Sequence, residues 1–371
     1  MIKKIFQNKF FFSQSKKTLP LIASDIDGVI QRQHVVLPQV PETVRFLQEN
    51  REKIMLSFLT NRTGVTEKFL SQDLSLLCQL PKNLEIQEKY CFQPFTPMRP
   101  IFKDQQNEPI LIIGKDKTPE QLQNTKNILS QLGITKYILG DEYISLYPYL
   151  TPQSGKQIDT KLANEVSQRL GISMNHLLQT PAQMKAILLL SSPSNWEYNI
   201  QIILDLLSSD DGTISDKIQY GHRGHIPVYG TLNDLNYRYL DYPIAPRLVM
   251  GGFTLALSEI FKKYYGYNLN IQFYGKPSVK LYEYLEQTLL QYPENQSIKF
   301  GNRYMIGDNP ESDIQGANKL QDWTTILVRT GVFQSHYEGQ NDKNYPAKYV
   351  VDNFKQAVEL ICDLEKIQFK I

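Results

Sequence analysis

The sequence has few cysteines and almost no net charge. Its three cysteines, Cys78, Cys91 and Cys362, are scattered, odd in number and without a CxxC pair. A disulfide framework and a structural zinc site are therefore not expected, and a reducing compartment is favoured. The chain has 40 lysines and arginines against 38 acidic residues, a formal net charge of +2. This balance does not predict a broad basic surface for nucleic acid.

Long hydrophobic runs are also absent. The apolar run at residues 186–190 is typical of the longest ones, and a membrane-spanning helix needs about 20 such residues. We therefore expect no membrane span. A chain of 371 residues is long enough for two domains with buried cores.

The N-terminus has an unusual composition. Residues 1–24 contain five lysines, several phenylalanines and no acidic residue, a pattern compatible with a basic, amphipathic import presequence. The alternative is a disordered basic tail, because the arginines usual in presequences are missing. We treat residues 1–18 as an N-terminal tail and expect a mitochondrial location, with the cytoplasm as the alternative.

Strands and helices alternate along the chain. The apolar segments 19–22 and 54–59 predict buried strands, and the periodic segments 38–50 and 65–77 predict helices after them. This β-α-β-α order predicts an α/β fold with a parallel sheet. Further strands are predicted at 90–96, 109–114, 136–140, 185–190, 271–274, 304–306 and 325–328, and further helices at 119–132, 196–207, about 251–265 and 281–290.

Polar residues follow four of the predicted strands. They are Asp25 and Asp27, Thr60 and Asn61, Lys276, and the pair Asp308 and Asp313. Parallel neighbouring strands would bring these side chains to one edge of the sheet, where ligands bind in open α/β folds. A carboxylate cluster needs a counter-charge or a metal, and Mg²⁺ prefers oxygen ligands.

Each of these motifs alone has an ordinary structural explanation. A DxDG segment is a common turn, Thr60 with Asn61 is a common helix cap, and a Gly-Lys-Pro segment is a common surface turn. Their order, and their shared position at strand ends, favour an active site.

The four motifs resemble those of the haloacid dehalogenase (HAD) superfamily of phosphotransferases. The segments 25–29, Thr60, Lys276 and the GDxxxxD run ending at Asp313 match its four motifs in order. More narrowly, segments 58–67, 202–207 and 305–318 resemble the cat eye syndrome critical region protein 5 family, also called the haloacid dehalogenase-like hydrolase domain-containing protein 5 family.

The resemblance implies a catalytic role for five residues. Asp25 would be the nucleophile that forms an aspartyl-phosphate, and Asp27 would be the general acid and base. Thr60, with Asn61 nearby, would hydrogen-bond the phosphoryl oxygens. Lys276 would neutralise charge on the phosphoryl group and hold Asp25.

The resemblance also implies a magnesium site. Asp308 would bind Mg²⁺ together with the Asp25 carboxylate and the Asp27 carbonyl. Asp313 would bind the metal through water or orient Lys276.

Two segments depart from the family pattern. Arg62 stands where a small glycine is expected, and it would either reach a second anionic group of the substrate or face solvent. In the loop from Arg247 to Gly251, Val249 and Met250 occupy positions where glycine and glutamine are expected. Arg247 and Gly251 are kept as candidate substrate residues.

The spacing of the motifs locates an inserted domain. Only about thirty residues separate Asp27 from Thr60, whereas more than two hundred separate Thr60 from Lys276. The resemblance then implies a HAD-type, Rossmann-like core of residues 19–97 and 258–371, with an α/β (C2-type) cap of residues 98–257. Such a cap would close over the site and exclude water.

These observations predict a Mg²⁺-dependent phosphatase that hydrolyses a small phosphorylated metabolite through an aspartyl-phosphate. The alternative is a catalytically weak binding or regulatory protein on the same fold. A true dehalogenase is disfavoured, because such enzymes need neither Asp27 nor the acids of the metal site. An oligomer is compatible with the sequence.

Overall fold

The computed structural model describes residues 16–105, 107–114, 118–214, 226–237, 247–334 and 340–371. Residues 1–15 of the predicted tail lie outside these ranges. The strands are β1 (Lys17–Ser24), β2 (Gln31–Arg32), β3 (Val35–Val36), β4 (Met55–Leu59), β5 (Cys91–Phe92), β6 (Ile110–Ile113), β7 (Tyr137–Leu139), β8 (Ala186–Leu189), β9 (Val228–Gly230), β10 (Asn236–Tyr237), β11 (Arg247–Leu248), β12 (Ile271–Phe273), β13 (Ile298–Gly307), β14 (Trp323–Val328) and β15 (Tyr349–Val351). The helices are α1 (Val40–Glu49), α2 (Glu67–Leu77), α3 (Arg99–Lys103), α4 (Pro119–Leu132), α5 (Gly140–Leu146), α6 (Thr160–Leu170), α7 (Met174–Gln179), α8 (Trp196–Leu207), α9 (Met250–Tyr265), α10 (Val279–Gln291), α11 (Gln315–Asn318) and α12 (Phe354–Glu365).

The first sheet has six parallel strands in the order β15-β14-β13-β1-β4-β5. Strand β1 lies near its centre, where Ile22 pairs with Tyr304 on one side and with Leu56 on the other. The strand is buried from Leu19 onwards, which agrees with its continuous apolar sequence because a parallel sheet is covered on both faces. The predicted α/β class with a parallel-sheet core is confirmed.

The second sheet has five parallel strands in the order β12-β9-β8-β6-β7. Helix α8 covers it with an apolar side, and Ile203 and Leu207 of this helix belong to the same buried cluster as Leu189 of β8. Two short antiparallel hairpins, β2-β3 and β10-β11, complete the described sheets.

The second sheet extends beyond the segment assigned to the cap. Strand β12 lies within the range predicted for the core, but it pairs with β9 of the second sheet. Helix α9 also belongs there, because Phe253 and Phe261 join the cluster that covers this sheet. The chain returns to the first sheet only after Gly275. We therefore propose a boundary near residue 274 in place of the predicted one at residues 257–258.

The other elements differ from the prediction mainly in length and number. The strand predicted at residues 90–96 is reduced to β5, a two-residue edge strand. The helices α5, α6 and α7, and the final pair β15 and α12, are additional elements. Within the described ranges, no helix combines the length and apolar character that crossing a membrane requires.

Candidate active site

Asp25 lies at the carboxyl end of β1, in the middle of the first sheet. Its backbone N–H donates to the Ile306 carbonyl at 2.9 Å, which continues the pairing of β1 with β13. Three residues later, Gly28 has a φ of +95°, and a Cβ there would lie 2.4 Å from Asp308 Oδ2. Glycine is therefore required at position 28 both by its backbone conformation and by the approach of Asp308.

Lys276 is buried between two carboxylates. Its Nζ donates to Asp25 Oδ1 at 2.7 Å and to Asp313 Oδ1 at 2.6 Å. Burial alone would lower the pKa of Lys276, but the charges of Asp25 and Asp313 raise it above the usual range for lysine. Lys276 is therefore a permanent cation that ties the end of β1 to the segment after β13.

Asp313 is held on both of its oxygens. While Oδ1 accepts from Lys276, Oδ2 accepts from the backbone N–H groups of Asp308 and Asn309 at 3.1 and 3.0 Å. The Tyr282 hydroxyl donates to the Asp313 carbonyl at 2.9 Å. Asp313 lies in a π-helical turn of residues 310–314 and orients its neighbours.

Three buried carboxylates meet at this edge of the sheet. Asp25, Asp308 and Asp313 each offer one oxygen, and these oxygens all lie within 4.8 Å of one another. Burial, with the neighbouring carboxylates, raises the pKa of Asp25 well above its usual range and that of Asp308 to about 7. The single buried ammonium of Lys276 cannot balance three ionised carboxylates, so the cluster keeps an excess of negative charge. Buried oxygen donors with unbalanced negative charge fit a divalent cation such as Mg²⁺.

Thr60 and Asn61 follow β4, beside β1. The Thr60 hydroxyl oxygen accepts from the Arg62 N–H at 3.0 Å. The Asn61 carboxamide is bound on both sides to the Lys276 backbone, since Oδ1 accepts from the Lys276 N–H and Nδ2 donates to the Lys276 carbonyl, each at 2.9 Å. Nδ2 also donates to Asp234 Oδ2 at 2.7 Å. The Asn61 amide hydrogens are thus already engaged by protein groups, and its contact with a phosphoryl oxygen stays a prediction.

Asp27 differs from Asp25 in its exposure. Its side chain faces the cavity and is exposed, while the buried Gln31 donates from Nε2 to Asp27 Oδ1 at 3.0 Å. Gln31 belongs to the β2-β3 hairpin, which directly follows Gly28. One oxygen of Asp27 is therefore oriented by the protein.

The three candidate substrate residues have different environments. The Arg62 side chain is only 16% exposed and lies 3.7 Å from Asp73, at the wall of the cavity and not in open solvent. Arg247 is exposed on β11 and is not among the described residues that line this cavity. Gly251 contacts the backbone of the Asp234 loop: its N–H donates to the Asp234 carbonyl at 2.8 Å. Of the three, Arg62 is the one placed to contact a ligand.

A cavity of about 390 Å³ opens above Asp25. Both sheets contribute to its walls. From the first sheet and its loops come Asp25, Asp27, Gln31, Arg32, Thr60, Arg62 and Asp308, and from the second come Ser191, Ser192, Leu232, Asp234, Val249 and Met250. Lys276 comes from the segment between β12 and α10. The structure thus brings together the catalytic and metal residues that the sequence predicted. No motif spacing in the sequence marks Gln31, Ser191, Ser192 and Asp234, so these residues were not predicted.

Two family models match two separate segments of the chain, which between them carry the strands of the first sheet. The haloacid dehalogenase-like hydrolase model matches residues 22–126, and a HAD-hydrolase-like model matches residues 273–357. The matched ranges include Asp25, Thr60, Lys276 and Asp308.

Two curated relatives are similar over most of the chain. A cardiolipin synthase (CMP-forming)/mitochondrial hydrolase fusion protein of Schizosaccharomyces pombe is 29% identical over 341 residues, which cover 90% of this chain and 51% of that protein. The chain thus spans about half the length of this relative. A mitochondrial hydrolase of Saccharomyces cerevisiae is 25% identical over 371 residues, which cover 94% of this chain and 97% of that protein.

A solved structure shares the fold. The p-nitrophenyl phosphatase of Archaeoglobus fulgidus superposes with a TM-score of 0.58 at 17% identity, and the superposition covers 93% of this chain and 99% of that one.

The parallel sheets, together with the two family models, define a hydrolase of the α/β class. The chain belongs to the haloacid dehalogenase-like hydrolases. The narrower resemblance to the cat eye syndrome critical region protein 5 family stays a prediction.

Proposed function

We propose that the protein is a phosphatase that hydrolyses a small phosphomonoester. The observation that carries this proposal is the position of Asp25, which lies at the cavity wall with Lys276 on one oxygen and Asp308 close by. A phosphoryl group next to Asp25 would meet a nucleophilic oxygen, a fixed ammonium and the Thr60 hydroxyl. Positioning and charge stabilisation of this kind are the main sources of catalysis in phosphoryl transfer.

The first step would transfer the phosphoryl group to Asp25. A carboxylate oxygen of Asp25 attacks phosphorus, and the bond to the leaving oxygen breaks. Asp27 protonates that oxygen, so that the product leaves as an alcohol. Lys276 stabilises the charge on the transferred group and keeps the other Asp25 oxygen in place.

The second step would release phosphate. Asp27, now ionised, removes a proton from water, and the hydroxide attacks the phosphorus of the Asp25 aspartyl-phosphate. The acyl–phosphate bond breaks, and Asp25 returns to its carboxylate form. The hydrogen bond from Gln31 to Asp27 orients the Asp27 carboxyl for both proton transfers.

We further propose that Mg²⁺ binds through Asp25 and Asp308. Burial, with a smaller contribution from the neighbouring carboxylates, raises the pKa of both carboxyls, and a bound cation would stabilise their ionised forms. Asp313 would orient the site and Lys276, because its two oxygens are already engaged. When bound, the cation would neutralise phosphate charge and reduce repulsion between the substrate and Asp25.

The proposed substrate is a phosphorylated small molecule, which agrees with the nitrophenyl phosphatase activity named for a structural neighbour. The cavity of about 390 Å³ accommodates a small leaving group. Arg62 would contact a second anionic group if the substrate has one.

We also propose a mitochondrial location, since two relatives are named mitochondrial hydrolases and the first 24 residues contain no acid. Fusing these residues to a fluorescent protein tests that location.

The test of function is phosphate release from a panel of phosphorylated metabolites and 4-nitrophenyl phosphate. Wild type is compared with Asp25→Asn and Asp27→Asn, each with Mg²⁺ and with a chelator. Turnover that is lost in both variants and on chelation supports the hydrolase. Wild-type turnover no higher than that of the variants, in a protein that binds Mg²⁺, contradicts it and favours the binding-protein alternative.

A further inference from the structure

Asp234 connects the second sheet to the catalytic loop of the first. It lies in the loop after β9, partly buried, where it borders the cavity above Asp25. Its Oδ2 accepts a hydrogen bond of 2.7 Å from Asn61 Nδ2, across 173 residues of sequence. None of the sequence motifs includes Asp234.

The partner of Asp234, Asn61, is hydrogen-bonded to the backbone of Lys276. The Asn61 carboxamide binds both the N–H and the carbonyl of Lys276. A carboxamide is planar, with donors on one end and an acceptor on the other. An ionised Asp234 accepts hydrogen bonds but donates none, so it keeps the NH₂ end of Asn61 towards itself. This leaves Oδ1 facing the Lys276 N–H.

The surrounding backbone is shaped to admit this arrangement. A Cβ at Gly275 would lie 2.7 Å from Asn61 Oδ1 and 2.4 Å from the Thr231 carbonyl. A Cβ at Gly251 would lie 2.5 Å from the Asn233 and Asp234 carbonyls. The missing side chain at Gly275 thus makes room for the Asn61 amide, and the missing side chain at Gly251 makes room for the loop that carries Asp234.

We propose that Asp234 is a positioning residue, which fixes the Asn61 carboxamide and through it the backbone of Lys276. The loop of the second sheet thereby controls the ammonium that bridges Asp25 and Asp313. The kinetic consequence depends on the proposed phosphatase activity, whereas the structural consequence does not.

The structural test is hydrogen–deuterium exchange of the full-length protein, read at peptides that cover residues 274–278. Asp234→Ala should raise exchange of the Lys276 amide roughly fivefold, the effect of losing about one net hydrogen bond of stabilisation. Asp234→Asn should stay near wild type, because its side-chain carbonyl can still accept from Asn61. Glu259→Ala is the matched control, since Glu259 is an exposed acid on α9. Unchanged exchange in Asp234→Ala would overturn the coupling.

The kinetic test uses 4-nitrophenyl phosphate with Mg²⁺. Asp234→Ala should lower kcat by on the order of 10- to 100-fold, as misplacement of a catalytic group does, with KM nearly unchanged. Asp234→Asn should restore most of kcat. A raised KM with normal kcat would make Asp234 a substrate ligand. An equal loss of kcat in Asp234→Ala and Asp234→Asn would show that the charge of Asp234 matters more than its hydrogen bond. Either result overturns the proposal.

The two tests distinguish a failure of the proposed phosphatase function from a failure of the proposed role of Asp234. Absence of wild-type turnover on every ester would contradict the phosphatase function alone, because the exchange of the Lys276 amide would still decide whether Asp234 acts through Asn61.

Discussion

Lys276 and Asp313 form a buried ion pair, with Nζ 2.6 Å from Oδ1 and neither side chain more than 2% exposed. The same ammonium contacts Asp25 at 2.7 Å. Two carboxylates of the site therefore share one cation, and Asp308 lies next to both carboxylates with no ion pair of its own among the described residues.

Replacing Lys276 with methionine should destabilise the protein most at high pH. The substitution leaves Asp25 and Asp313 buried without a counter-charge, which costs about 3–5 kcal/mol for a broken buried pair. At pH 5 the loss should be smaller, because burial raises the pKa of Asp25 well above its usual range and this carboxyl can take up a proton. Urea unfolding at pH 5 and pH 8 measures the difference. Lys263→Met, at an exposed position of α9, is the control, and an equal loss for Lys276→Met at both pH values would contradict the expectation.

Asp308→Asn should stabilise the metal-free protein at high pH while abolishing activity. Burial raises the pKa of Asp308 from 3.8 to about 7, so the native state binds the proton more tightly than the unfolded state. The resulting stability is complete below about pH 4 and is lost as the pH rises through about 7. In the presence of a chelator at pH 8, the free energy of unfolding of Asp308→Asn should exceed that of wild type by ~1 kcal/mol or more, since one pKa unit corresponds to ~1.4 kcal/mol. At pH 4 the advantage should disappear.

Denaturant unfolding across this pH range measures the effect. Asp322→Asn, whose side chain is 79% exposed, should show no such dependence. Added Mg²⁺ should stabilise wild type and leave Asp308→Asn unaffected. If the free energies of unfolding of wild type and Asp308→Asn changed with pH in parallel, the charge of Asp308 would be compensated in the metal-free state and the prediction would be wrong.

Gln31→Leu should lower kcat without a matching change in KM. The buried Gln31 amide donates to Asp27 Oδ1 at 3.0 Å, and leucine of similar size removes only this bond. The proton-transferring carboxyl would then lose its orientation, at a cost of roughly 10-fold in kcat or more. Steady-state kinetics with 4-nitrophenyl phosphate separates the two constants, and Gln168→Leu, at an exposed position of α6, is the control. A wild-type kcat in Gln31→Leu would exclude this orienting role.

The residues found from the sequence share one local property. Asp25, Thr60 and Asp308 each stand directly after an apolar strand of the first sheet, so strand prediction and residue type were sufficient to identify them. Lys276 also follows a predicted strand, but this strand, β12, belongs to the second sheet, so the expectation that all four motifs lie at the edge of one sheet does not hold for Lys276. Asp234 has neither signal, since its role depends on a contact between loops far apart in the chain.

Helices were predicted well where capping and periodicity agree. The bounds of α4 and α8 are as predicted, and both begin after side-chain caps, Thr118 and Asn195. The prediction does not include α12, although its sequence carries a cap at Asn353 and an apolar side with Phe354, Ala357, Val358 and Ile361. The six-residue helix α7 is too short for a periodic pattern to mark it.

Gly275→Ala should damage both stability and activity, although it adds one methyl group to a linker. The new Cβ would lie 2.4 Å from the Thr231 carbonyl and 2.7 Å from Asn61 Oδ1, and the backbone carbonyl cannot move away independently. Overpacking of this kind costs about 1–3 kcal/mol. Displacement of the Asn61 amide would also release the Lys276 backbone, so kcat should fall further than the loss of folded protein explains.

Thermal unfolding and kcat per folded molecule measure the two effects of Gly275→Ala. Gly114→Ala is the matched control, because the nearest atom to its Cβ would be the Ser191 hydroxyl at 3.2 Å, which a side-chain rotation relieves. If Gly275→Ala loses stability but keeps the wild-type kcat per folded molecule, the contact between Asn61 and the linker supports the fold and not the chemistry.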